Sequence, residues 1–199
     1  MIDAAVEAIR AGRPVILPTD TVYGLCTTPY SAAPVERLYR LKGRPETQPT
    51  AILASDVDML FECVPELRGR SGRIVRALLP GPYTLVLSNP ARRFRWLTGD
   101  RPDTIGVRVP ELAGDAATVL ARVGAVVATS ANLAGGPEPR RLEDVPRELR
   151  EGTGAEIDGG ELPGTASTVI DFTAAVPRVL REGAGSVEEA LDRARAAAA

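Results

Sequence analysis

Val15-Ile16-Leu17-Pro18-Thr19-Asp20-Thr21-Val22-Tyr23-Gly24-Leu25 is the stretch on which the fold turns. Val15 to Leu17 is a short apolar run held between Pro14 and Pro18, the pattern of a buried strand. Proline offers no N–H to a ladder, so pairing is expected to stop or fray at Pro18. A cluster of hydroxyls and one carboxylate follows: Thr19, Asp20, Thr21 and Tyr23. Gly24 then lets the backbone approach a neighbour closely. Small polar groups at the end of a buried strand are where α/β folds place ligands. On spacing alone the stretch is equally a polar turn between two strands.

The rest of the composition narrows the chemistry. A chain of 199 residues suggests one domain, residues 1–199. Net charge is −2 and the pI is about 5.4, so generic binding to a phosphate backbone gains no support. No apolar run approaches the roughly 18 residues of a membrane span. The N-terminus lacks a basic region followed by an apolar core, so no secretory signal is expected. Cys26 and Cys63 are too few for a disulfide framework or a zinc site. A reducing, cytoplasmic setting is expected, without a membrane partner.

Histidine is absent. That excludes Ser-His-Asp triads, histidine–metal sites and histidine general bases. Lys42 is the single lysine among 24 basic residues. It reads either as a stray solvated lysine or as a site that needs a compact ammonium rather than a planar fork.

In chain order, residues 3–11 read as a short helix stopped by Gly12. Tyr23 to Thr27 reads as a second strand. Ser31 is a candidate N-cap for a helix with Val35, Leu38 and Leu41 at helical spacing. That helix is expected to end at Lys42-Gly43-Arg44-Pro45, because Pro45 biases Arg44 out of helical geometry. Lys42 and Arg44 then sit at a helix C-terminus, which suits the helix dipole and equally suits an anion such as a polyphosphate. Strands are expected over 50–54, 83–87, 104–109, 125–128, 169–172 and 178–180. Helices are expected over 56–61, 70–79 and 112–122, with a short interrupted one over 142–151. Ser186 with Glu189 reads as a capping box opening the last helix. Arg92, Arg93, Phe94, Arg95 and Trp96 form a basic-aromatic loop, either a nucleic-acid contact or a solvated surface with Trp96 tucked in. Arg108 lies inside an apolar strand, where an arginine is expensive unless paired with an acid or offered to a ligand. Thr129-Ser130-Ala131-Asn132 again puts polar groups at a strand's end.

Taken together, Pro18-Thr19-Asp20-Thr21-Val22-Tyr23-Gly24-Leu25, Lys42-Gly43-Arg44-Pro45, Leu79-Pro80-Gly81-Pro82-Tyr83-Thr84, Ser130-Ala131-Asn132 and Ser167-Thr168-Val169-Ile170-Asp171 occur in one order. In that order they resemble the threonylcarbamoyl-AMP synthase family, the YrdC-like domain, in its short single-domain form. The resemblance runs from about residue 3 to residue 185. It implies an α+β fold: a twisted, mixed sheet of about seven strands flanked by helices, with a concave ligand site. It also implies a reaction in which L-threonine, bicarbonate and ATP give threonylcarbamoyl-adenylate and pyrophosphate, for modification of tRNA. ATP is a substrate, Mg²⁺ an expected cofactor, and tRNA and tRNA-modifying proteins are candidate partners.

By the same resemblance, Thr21, Tyr23, Arg108, Ala128 and Ser167 fall on threonine-side positions. Lys42, Arg44, Gln48, Thr104, Ser130, Asn132, Glu138 and Arg181 fall on ATP-side positions, with Lys42 and Arg44 as the catalytic cations. No protein side chain is expected to form a metal site. Two positions depart from the family pattern. Leu53 stands where many members carry histidine, and Glu138 stands where serine is common. The other readings kept open are an RNA-binding module and a different carbamoyl-adenylate-forming enzyme. If Lys42 contacts phosphate, Lys42→Ala should lower turnover far more than folding stability. Pyrophosphate release compared with the thermal midpoint checks this.

Overall fold

The computed structural model describes residues 1–198. The chain opens with α1 (Ile2–Arg10), β1 (Val15–Pro18), β2 (Tyr23–Thr27) and α2 (Ala32–Lys42). β3 (Ala51–Ala54), α3 (Val57–Cys63), α4 (Gly69–Leu78) and β4 (Tyr83–Ser88) follow. Next come β5 (Thr104–Arg108), α5 (Gly114–Val123) and β6 (Ala125–Ser130). The last third holds α6 (Arg147–Glu151), β7 (Ala155–Glu156), β8 (Thr168–Asp171), β9 (Arg178–Arg181) and α7 (Val187–Ala198).

The strands form one mixed sheet in the order β7-β1-β2-β6-β3-β5-β4-β8-β9. Nine strands replace the seven or so expected. The short β7 (Ala155–Glu156) accounts for part of the excess, since two residues are too few to carry a periodic signal. β1 does end at Pro18, which pairs with Tyr23 as the last rung. β6 runs through Thr129 and Ser130 instead of stopping at Ala128, because Gly24 pairs with Ser130. The polar residues therefore belong to the strand end itself. Ser31 is the N-cap of α2 in position, yet its side chain makes no capping hydrogen bond. At α7 one half of the capping box is seen, Glu189 N–H donating to Ser186 Oγ at 3.3 Å.

Alternation along the strands sorts residues onto two faces. One face carries Ile16, Tyr23, Leu25, Ile52, Val127, Val107 and Leu85, packed under α2, α3, α4 and α7 in the larger core. The opposite face is covered at one end by α1 and α5, whose Val6, Ile9, Val119 and Leu120 pack on Val15, Leu17, Cys26 and Val126. The rest of that face is not covered by a helix. There the inward positions include the small or polar residues Gly24, Ala128, Ala51, Gly106 and Thr84, beside the larger Leu53, Val86 and Val169. In the sheet register Cys26 faces Ala128, Ala128 faces Ala51, and Ala51 faces Gly106. A floor of such short side chains leaves a hollow. A Cβ on Gly106 would lie 3.3 Å from Ala51 Cβ, so even a methyl group crowds this floor.

Residues 157–167 run without regular structure across the β1–β2 turn. They are tied down by Ile157 N–H to Ile16 O at 2.9 Å and Gly164 N–H to Thr21 O at 2.8 Å. Tyr23 is the third tie. Its hydroxyl donates to Asp158 Oδ1 and lies 2.9 Å from Gly160 O, and it accepts from Gly159 N–H. Tyr23 belongs to the helix-covered face, so it does not line the hollow as expected from the sequence; it anchors this strap from behind. Burial and Asp158 push its phenol up to about 12. Among the described residues no helix is long and apolar enough to cross a membrane.

Tyr23→Phe is expected to cost about 1–3 kcal/mol, because three strap groups lose one shared partner. Urea unfolding of the two proteins measures the difference.

Candidate active site

The hollow is a cleft of about 280 Å³, near the lower end for a small-molecule site. Its walls come from the β1–β2 turn, the ends of β6 and β9, the loop after α2 and the segment before β8. Arg108, at the end of β5, is 7% exposed on the cleft floor. Its Nη2 donates to Asp20 Oδ1 and, at 2.9 Å, to Thr21 Oγ1. Thr19 organises that turn: its hydroxyl donates to Val22 O at 2.7 Å and accepts from the Thr21 and Val22 amides. Burial pushes Asp20 above the ordinary carboxylate value, against the pull of Arg108. Burial likewise lowers Arg108. The arginine is thus paired with an acid, while its Nε is buried without a hydrogen-bond partner.

A second guanidinium enters from the α2 end. Gly43 takes φ +69° and closes the helix, its N–H reaching back to Tyr39 and Arg40 carbonyls. The chain then turns, so Lys42 points inward and Arg44 faces the cleft. Arg44 Nη2 donates to Pro49 O at 2.7 Å, and its Nε too is buried without a partner. Arg181 closes the far side. Its Nε donates to Ser167 O at 3.0 Å and its Nη2 to Ser167 Oγ at 3.2 Å. Ser167 Oγ also shares a hydrogen bond with Thr84 Oγ1 at 2.8 Å.

Of the expected site residues, Thr21, Arg44, Thr104, Arg108, Ala128, Ser130, Glu138, Ser167 and Arg181 all line this one cleft. Lys42, Gln48 and Asn132 do not, nor does Tyr23. Gln48 is exposed on the loop at the mouth, its carbonyl accepting from the Tyr39 hydroxyl at 3.4 Å. Lys42 is 4% exposed. Its ammonium donates to Ser130 O at 2.5 Å, Asn132 O at 2.9 Å and Asn132 Oδ1 at 2.7 Å, with Ser130 Oγ at 3.5 Å. Asn132 is the hub behind the wall, also accepting from Ser130 Oγ and donating to Gly136 O. Lys42 therefore holds the Ser130–Asn132 turn in place from beneath. Its ammonium protons serve buried acceptors of the protein itself, so the loss of Lys42 is expected to touch the fold as well as turnover.

Two contributors were missed by the sequence reading. Asp20 stands inside the key stretch, and the cost of burying Arg108 was the signal for an acid partner. Arg101 lines the cleft from the loop before β5, held by Asp171 Oδ2 at 3.1 Å; its sequence neighbourhood carries no pattern. The 92–96 loop lies elsewhere. Arg92 pairs with Asp103 and Arg93 with Glu66, while Trp96 Nε1 donates to Pro29 O at 2.8 Å. This is the tucked surface reading.

The arrangement presents four guanidinium groups, Arg44, Arg101, Arg108 and Arg181, to one cavity over a floor of small side chains. That suits a ligand with anionic groups at more than one point, one at Arg108 and one near Arg44. Positioned cations of this kind also stabilise charge that develops during a reaction.

Comparison with known proteins agrees with this picture. The profile of the Sua5/YciO/YrdC family, described as "Telomere recombination", matches residues 7–183. A protein of Mycobacterium tuberculosis named putative threonylcarbamoyl-AMP synthase is 35% identical over 188 residues, 94% of this chain and 86% of its own length. The structure of P. abyssi Sua5 complexed with L-threonine superposes with TM-score 0.86 at 34% identity. It covers 96% of this chain, and this chain spans 56% of its length. E. coli YciO superposes with TM-score 0.82 at 29% identity, over 94% of this chain and 91% of its own.

Burial and Arg44 lower Lys42 to about 8, against the opposing pull of Glu138. The unfolded chain keeps that proton up to the ordinary lysine value, so it binds more protons between the two values. Stability from this group therefore rises with pH across that window, from about 8 to the ordinary lysine value of 10.5. Lys42→Met should lose roughly 2–3 kcal/mol at neutral pH through its stranded acceptors, and the gap from the wild type should widen above pH 8. Urea unfolding of both proteins at neutral and alkaline pH measures both effects.

Proposed function

The chain belongs to the Sua5/YciO/YrdC family, and on that premise we propose that it is a nucleotidyltransferase making L-threonylcarbamoyl-AMP and pyrophosphate from L-threonine, bicarbonate and ATP. The product is the activated group used in threonylcarbamoyl modification of tRNA, with tRNA-modifying proteins as recipients. The observation that carries this reading is the pairing, in one cleft, of Arg108 and Arg44, each with a buried donor left over.

Each residue has a role in that reaction. Arg108 takes the threonine carboxylate on its free edge, while Asp20 and Thr21 fix the guanidinium's plane. Leu53, beside Arg108 in the register, and Ala128 give the amino acid an apolar surround. Ser167 and Thr84 present hydroxyls close by. Arg44, Arg181 and Arg101 face the triphosphate, together with Ser130 and Thr104. The threonine amine adds to carbon dioxide from bicarbonate and loses a proton, giving a carbamate. A carbamate oxygen then attacks the α-phosphorus, and the bond to the bridging oxygen breaks to release pyrophosphate. No protein nucleophile is needed, so the absence of histidine is no obstacle. Catalysis rests on alignment of the two substrates and on guanidinium charge facing the leaving group.

Magnesium fits this site as an ion carried on ATP. Such an ion is held largely by phosphate oxygens and water, with one or two carboxylates from the protein. Glu138, with Oε2 buried and unpartnered, is the carboxylate available. When bound, the ion neutralises charge on the triphosphate.

The test is pyrophosphate release from ATP and bicarbonate with L-threonine, L-serine or no amino acid. Strict dependence on threonine is expected, and release independent of the amino acid refutes the assignment. Arg108→Lys keeps the charge but loses the fork. It should raise the threonine KM by about tenfold or more with little change in the KM for ATP.

A further inference from the structure

Among the described residues three buried side-chain nitrogen or oxygen atoms have no hydrogen-bond partner: Arg44 Nε, Arg108 Nε and Glu138 Oε2. All three residues line the cleft. The two guanidinium donors match a phosphate and a carboxylate. Glu138 is opposite in kind, a charged acceptor in a site otherwise lined with cations. A buried carboxylate oxygen without a donor is costly, so a bound species is expected to supply what it lacks.

The surroundings of Glu138 decide which species. Its charge acts on Lys42, raising that ammonium's proton affinity. Lys42 nevertheless commits its protons to Ser130 and Asn132. Arg44, which also acts on Lys42, directs Nη2 to Pro49 O. Tyr23 N–H donates to Pro139 O and Ala131 N–H to Tyr23 O, so Glu138 lines the cleft beside the Ser130 end of β6, on the side where the reading above places the triphosphate. A carboxylate there repels bare ATP. A neutral N–H donor would complete the hydrogen bond without offsetting that repulsion. A divalent cation shared between the carboxylate and phosphate oxygens does both.

We propose that Glu138 is a magnesium ligand, bridging the ion to the phosphates of ATP, and that it makes nucleotide binding metal-dependent. This rests on the ATP assignment above. Without metal, Glu138 opposes the nucleotide; with it, the same carboxylate becomes a point of attachment. Arg108, at the other end of the cleft, is untouched by this linkage.

Calorimetric titration of ATP into the protein, with threonine and bicarbonate omitted, tests the inference without turnover. In the wild type MgCl₂ is expected to tighten ATP binding by roughly tenfold or more relative to EDTA. In Glu138→Gln metal-free ATP should bind more tightly than to the wild type, and MgCl₂ should then improve binding by about threefold or less. Glu138→Ser should behave like Glu138→Gln, and thermal melts establish that both are folded. With Mn²⁺ as the probe, the electron paramagnetic signal of Mn²⁺–ATP should broaden on the wild type and less on either variant. An equal magnesium effect in wild type and both variants overturns the proposal while leaving the ATP assignment standing. So does an unchanged magnesium effect with lost preference for ATP over GTP, which would make the carboxylate a reader of the base. Failure of the wild type to bind ATP under either condition overturns the ATP assignment itself.

Discussion

A guanidinium buried on the floor of an open sheet face is the constraint around which this molecule is arranged. Arg108 sits at the end of a central strand with little access to solvent. A charge in that place persists only if other groups replace its water. The β1–β2 turn supplies them, Asp20 and Thr21 reaching over past the two intervening strands β6 and β3. The turn holds that posture because the Thr19 hydroxyl bonds back to Val22 and because the strap ties down Thr21 O. Ion pair, turn and strap form one unit, and the cleft exists because that unit leaves one edge of the guanidinium free.

The sheet makes the hollow possible. One face is covered by four helices, and the other by α1 and α5 at one end. Several of the remaining inward positions carry Gly24, Ala51, Gly106 and Ala128, residues too short to fill the space that a helix would otherwise cover. The larger core thus provides stability while the thin floor provides volume. Around the rim, cations arrive from unrelated elements: a helix C-terminus for Arg44, a loop for Arg101 and an edge strand for Arg181. Each is steadied by a different acceptor, which fixes guanidinium planes before any ligand arrives.

Lys42 shows how a residue's type and its use separate. Its singularity in composition marked it, and its place beside Arg44 suggested a phosphate contact. The structure gives it a supporting job, with its ammonium under the Ser130–Asn132 turn. Its influence on a ligand passes through Ser130, which does line the cleft. A compact ammonium is suited to this, since its protons can be directed at several oxygens that do not share one plane, whereas the donors of a guanidinium all lie in one.

The linear pattern by itself determined the alternation of strands and helices, the strand end at Pro18, the helix stop at Gly43, the surface character of the 92–96 loop as one of two readings, and, through five short motifs in order, the family. Those features are local: they depend on proline's missing donor, on glycine's access to positive φ and on apolar periodicity. What only the tertiary structure decided is which side of the sheet each residue faces and what it meets there. Tyr23 and Gly24 are neighbours in sequence and lie on opposite faces; Lys42 and Arg44 are two residues apart, one behind the wall and one in the cleft. Asp20 becomes the partner of Arg108, and Arg101 joins the rim, through strand register and loop packing. Register and packing are contacts between residues far apart in the chain, so no local pattern encodes them.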